Sequence, residues 1–162
     1  MKRSLLTYST WISILLLAAV SCKTPGLALS GRKAVKAYSA LADGSFDRMD
    51  LKARISYKEK GLAGRMIIKN DGSGLYRIAF FNELGMTWLE AAYHPGHPKK
   101  NLMIRQVSPL LNHPKTLKSL EKSFQHLFEG GTGKNTKTTE TTVDKSDITI
   151  KLNNGFTLHL QL

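Results

Sequence analysis

Cys22 is the only cysteine in the chain, which excludes an internal disulfide and a multi-cysteine zinc site. Long apolar runs are scarce too. The longest, Trp11 to Val20, falls short of the roughly 20 apolar residues that a membrane-crossing helix needs, and Lys23, Thr24 and Pro25 follow it closely. Acids are few, 12 against 24 lysines and arginines. Proline and glycine are scattered and no internal repeat is present, so the chain reads as neither a low-complexity segment nor a solenoid. Reaction machinery is missing as well. No GxSxG-like elbow is present. The stretch Gly130-Gly131-Thr132-Gly133-Lys134 lacks phosphate-loop spacing and follows a helical pattern instead of starting one. His94 and His97 flank a Pro-Gly pair with no third ligand near in sequence, a poor basis for a metal site. Nothing in the chain reads as an enzyme, and no cofactor is expected.

What is present begins with an export signal. Lys2 and Arg3 form a positive start, the Trp11–Val20 run forms the apolar centre, and small residues precede a cut. Ala19-Val20-Ser21-Cys22 resembles a lipobox, the recognition site of lipoprotein signal peptidase. Residues 1–21 then form the leader and residues 22–30 a tether. Cys22 becomes the lipidated N-terminus, carrying covalent diacylglycerol and an N-acyl chain. The competing reading is an ordinary secretory leader with a chance cysteine. Lys23 stands where an Asp favours inner-membrane retention in Gram-negative sorting, so the resemblance implies a periplasm-facing anchor in the outer membrane.

Removing Lys2 and Arg3 lowers the formal charge from +12 to +10. An excess of that size suits anionic membrane lipid or an acidic partner, unless it is only a solvated surface; nucleic acid does not fit an exported protein. Apolar residues make up 41% of the chain, enough for one globular domain over residues 31–162.

Periodicity sets the fold class as α+β, mainly β: an antiparallel sheet of about seven strands with one clear helix against its apolar face. The Gly31–Ala42 stretch predicts a short helix with Val35, Tyr38, Leu41 and Ala42 on one side. Leu51, Ala53, Ile55 and Tyr57 alternate with Lys52, Arg54, Ser56 and Lys58, a strand with one apolar and one cationic face. Further strands are expected over 62–69, 75–81, 86–93 and 102–107, with turns at 58–61, 70–74 and 82–85. An amphipathic helix over 115–128 carries Leu117, Leu120, Phe124, Leu127 and Phe128, with Asn112 as the expected cap and Pro114 in the first turn. Residues 132–142 read as loop or weak edge strand. A closing hairpin pairs residues 148–152 with 156–162 through Asn153-Asn154-Gly155.

Residues 64–96 resemble the core of the LolB family of outer-membrane lipoproteins. The match rests on Gly64-Arg65 opening a strand, Tyr76-Arg77 within the next, the loop Asn82-x-Leu84-Gly85, then Leu89-Glu90 and the turn Pro95-Gly96. The resemblance implies a half-barrel, a curved antiparallel sheet whose concave side is covered by one or two helices and accepts acyl chains. It further implies receipt of other lipoproteins as cargo from a periplasmic LolA-like carrier and their insertion into the outer membrane. By the same resemblance Leu84 is the membrane-insertion residue. The chain departs from the family in length: a strand pair before the last hairpin is missing, or reduced to the Thr-rich residues 137–143. Ile68 replaces an aromatic, and Glu83 replaces the loop's usual Pro.

Two alternatives follow for each group of candidates. Leu84 either projects into lipid or folds back onto the core. Met66, Ile68, Ile78, Phe80, Trp88, Leu120 and Phe124 either line an acyl cavity or are plain core. Lys52, Arg54, Arg65, Lys69 and Arg77 either attract anionic lipid or an acidic carrier face, or are a solvated sheet face. A non-catalytic accessory subunit of an envelope complex is the rival function.

Overall fold

The structure, a computed structural model, describes residues 30–96, 101–130 and 139–162. The leader and Cys22, the residues of the tether before Ser30, His97 and most of the Gly-rich stretch after Gly130 lie outside the described residues.

Among the described residues the chain runs α1 (Ser30–Asp43), β1 (Arg48–Tyr57), β2 (Lys60–Asn70), β3 (Tyr76–Phe81), β4 (Thr87–Tyr93), β5 (Leu102–Val107), α2 (Pro114–Phe128), β6 (Thr139–Asp144), β7 (Asp147–Leu152) and β8 (Phe156–Gln161). The strands form one sheet in the order β5-β4-β3-β2-β1-β8-β7-β6, antiparallel at every pairing. The fold is therefore mainly β with two helices on one face, as the alternation predicts. The eighth strand, β6, comes from the Thr-rich stretch; its side chains lack the apolar alternation that marks the others, and it sits at an edge paired only to β7.

Register explains why one face is apolar. Leu51 pairs with Met66, Met66 with Phe80 and Phe80 with Leu89; Ile55 pairs with Leu158 and Leu158 with Ile150. All seven are buried. Because successive residues alternate sides, Lys52, Arg54, Arg65, Lys69 and Arg77 are driven to the other face.

The inner face curls around α2. At one level of the helix, Leu117, Lys118 and Glu121 share a cleft with Leu102 and Ile104 of β5. On another side, the Oγ of Ser119 accepts from Asn154 Nδ2 in the β7–β8 turn at 2.8 Å. In a flat sheet β5 and β8 would lie about 24 Å apart, twice the roughly 10–12 Å diameter of a helix. The face bearing Leu51, Met66 and Phe80 is thus the concave one.

Three local expectations are corrected. The buried side of α1 is Ala34, Ala37 and Leu41, with Val35 56% exposed; the 34/37/38/41 spacing defines the stripe, and Val35 lies off it. The cap of α2 is His113, whose Nδ1 accepts the Lys115 amide at 3.3 Å, because Pro114 takes the first helical position. Asn112 instead turns its own amide back to the Ser108 carbonyl. The β1–β2 turn is two residues, Lys58-Glu59, and β2 begins at Lys60.

Candidate functional site

The strand directions divide the loops between two ends. The β1–β2 turn, the β3–β4 loop, the β5–α2 turn and the β7–β8 turn meet at one end, which also receives the start of α2. The other end is closed by aromatic rings. Tyr76 stacks on Phe128 at 4.4 Å and on Phe46 at 5.7 Å, and Tyr93 lies 5.1 Å from Phe128. The Tyr93 hydroxyl donates to Glu129 Oε1 at 2.9 Å and accepts from Asn101 at 3.4 Å. Burial, and then the adjacent carboxylate, push the Tyr93 phenol far above its usual range.

The acyl-cavity candidates converge. Met66, Ile68, Ile78, Phe80, Leu120 and Phe124 all belong to one buried cluster, and each is fully buried. Trp88 is half-buried at the loop end, edge-on to Phe80 at 5.1 Å. It sits where the β3–β4 pairing shifts register. The inner face is thus a continuous apolar surface covered by the helices in this structure.

The β3–β4 loop is built to project. Asn82 Oδ1 accepts the amides of Leu84 at 3.0 Å and Met86 at 2.9 Å, while the Asn82 amide donates to the Met86 carbonyl at 3.1 Å. Gly85 holds φ at 79°, a left-handed turn that glycine enters without penalty. The side chain spends its bonds on backbone, and Leu84 is left at the tip, 85% exposed. Of the two sequence alternatives for Leu84, the projecting geometry is the one observed. Two further exposed apolar side chains at this end escape a sequence reading: Met86 at 57% and Leu110 at 72%. In Ser108-Pro109-Leu110-Leu111 the doublet does not say which leucine turns in; Leu111 is the buried one.

All five cations singled out in the sequence are exposed on the outer face. Arg48 and Arg105 join them, against two acids on that half of the sheet, Asp50 and Glu90. Arg65 forks onto Asp50 at 2.5 and 2.7 Å, and Arg105 lies 3.6 Å from Glu90. Both are solvent-facing pairs of small energetic consequence. A shallow outer cleft of about 830 Å³ is lined by Lys52, Arg54 and Arg65 but also by Asp50 and Glu83. The two acids offset two of its three cations, so it is a poor anion trap.

On α2 the buried polar residues are Thr116, Ser119, Ser123 and His126. Burial lowers the pKa of His126, with Glu129 opposing and Lys122 assisting. Among the described residues no three His, Cys, Asp or Glu side chains are grouped to hold a metal ion. His94 is half-buried, its Nδ1 3.2 Å from the Pro95 carbonyl. No helix among the described residues is long and apolar enough to cross a membrane.

No protein-family model matches the chain, and no curated protein matches its sequence.

Proposed function

We propose that this chain is a lipid-anchored envelope protein that handles acyl chains. More specifically, we read it as a LolB-like lipoprotein of the outer membrane, facing the periplasm and anchored through Cys22. It would receive other lipoproteins from a periplasmic LolA-like carrier and insert them into the bilayer. The observation that carries this reading is the loop tip: a leucine 85% exposed, held outward by the Asn82 and Gly85 geometry. The apolar inner face supplies the acyl-binding side, with Met66, Ile68, Ile78, Phe80, Trp88, Leu120 and Phe124 as the surface that cargo would meet.

The mechanism needs no bond to be made or broken. Each methylene passed from a partly exposed site into the bilayer gains up to about 0.8 kcal/mol, so transfer runs downhill provided the protein holds acyl chains weakly. Leu84 would open the lipid surface where the chains leave.

A second reading is favoured by the complete burial of six inner-face candidates: an accessory subunit of an envelope complex, with the same fold used for a filled core. One experiment separates the two. The native host is depleted of this protein and complemented with the parent or with Leu84→Glu. Under the transfer reading, depletion makes other lipoproteins accumulate in the periplasm or inner membrane. The parent restores their distribution, and Leu84→Glu, though folded, does not. Unchanged lipoprotein distribution on depletion, with a protein partner retained on purification, selects the accessory role.

A further inference from the structure

The Leu84 tip has neighbours that extend it. Hydrogen bonding from Ser108 to the Trp88 carbonyl at 2.8 Å joins the end of β5 to the start of β4. That bond brings the β5–α2 turn beside the β3–β4 loop. Leu110 lies two residues past Ser108, Met86 two residues before Trp88, and with Leu84 they are exposed by 72%, 57% and 85%. Isolated exposed apolar side chains are ordinary on a protein surface. Three large ones on two adjoining loops, at a single end of the sheet, are not explained by packing. The first residues of α2 add Lys115 and Lys118, and the β1–β2 turn with the first residue of β2 at the same end adds Lys58 and Lys60, all exposed; Glu59 and Glu83 are the exposed acids on these turns, so cations outnumber acids four to two.

We infer that this end of the sheet is a membrane-docking edge made of both loops, in which Leu110 and Met86 enter the bilayer together with Leu84 while the flanking lysines meet anionic phospholipid headgroups. An apolar tip with cations set behind it matches an interface that is hydrocarbon inside and negatively charged at its surface. Chain length permits the arrangement. The start of α1 lies near the β6–β7 turn, where the Ala34 amide donates to the Lys145 carbonyl at 3.2 Å. That turn is at the opposite end of β7, about 20 Å from the loop end for six residues of strand. The eight residue steps from Cys22 to Ser30 can reach up to about 28 Å. A lipid on Cys22 and the two loops can therefore share one membrane plane.

This inference rests on the reading of Leu84 as a membrane residue, and the test keeps the two apart. The full lipoprotein is purified with Leu84→Cys, Leu110→Cys or Ser73→Cys, the last in the turn at the far end. Each variant is labelled with an environment-sensitive fluorophore and reconstituted into phosphatidylcholine vesicles with and without phosphatidylglycerol. The parent chain, whose Cys22 thiol is occupied by lipid, is the labelling control. With lipids brominated in their acyl chains, the labels at 84 and 110 should both be quenched and shifted to the blue, more so with phosphatidylglycerol, and the label at 73 should not. Quenching at 84 but not at 110 overturns the two-loop edge and leaves the Leu84 reading standing. Quenching at neither removes both. Equal quenching with and without phosphatidylglycerol overturns the role of the lysines.

Discussion

Gly64 occupies an inward position where β3 ends and the Leu84 loop begins. A Cβ built there would lie 2.0 Å from the Phe81 carbonyl oxygen and 3.2 Å from the Asn82 Cα. Both obstacles are backbone, so no side-chain rotation relieves them. Gly64→Ala should cost about 3 kcal/mol and lower the melting temperature by roughly 10 °C. Gly61→Ala, whose added carbon meets nothing closer than 3.7 Å, should be close to neutral; equal melting of the two variants would refute the steric account. The sequence marks Gly64 only as a small residue in a strand. The backbone that crosses it belongs to the end of β3 and the loop after it, 17 and 18 residues later, and no local pattern reports such a distance. Leu84 is legible for the opposite reason: a leucine between Asn82 and Gly85 sits in turn chemistry that does not want it. Leu110 stays hidden because its neighbour Leu111 has the same chemistry and the burial.

At the scale of elements, strands with a buried face and a wet face are the easiest to read, since period-two alternation is their whole signal. β6 gives none, and α1 misleads because Val35 is more apolar than the Ala34 and Ala37 that pack. α2 is legible as a helix from Leu120, Phe124 and Leu127, but the polar residues on its buried side carry a consequence that hydrophobic patterning does not report. His126 is 8% exposed, and its folded pKa lies below the ordinary 6.5. Below pH 6.5 the unfolded chain takes up a proton that the folded chain resists. Folding stability from this site is therefore full above that pH and is lost as pH falls through the lowered folded pKa. The urea midpoint should drop between about pH 8 and about pH 5, and His126→Gln, which cannot charge, should reduce the drop. A His126→Gln profile identical to that of the parent assigns the pH sensitivity elsewhere.

For the whole molecule, the proposed function requires an acyl chain to reach an inner face that is already covered. Protein interiors pack at about the density of organic crystals, and Met66, Ile68, Ile78, Phe80, Leu120 and Phe124 are fully buried. A chain that docks on them must displace something, and the sheet is the less yielding part. Its strands are joined by backbone ladders, with ten residue pairs between β1 and β2 alone. α2 is held to the sheet by apolar contact and few polar bonds, such as Ser119 to Asn154 and the Tyr93 hydroxyl to Glu129. Cargo binding should therefore part α2 from the sheet and leave the ladders intact. Amide hydrogen exchange with a palmitoylated lipopeptide present should quicken in residues 114–128 and stay unchanged in β1, β2 and β3. Bound lipopeptide with unaltered exchange in α2 would place the acyl site away from this face. Absence of binding would favour the accessory role, in which the same apolar face serves only to hold the two helices.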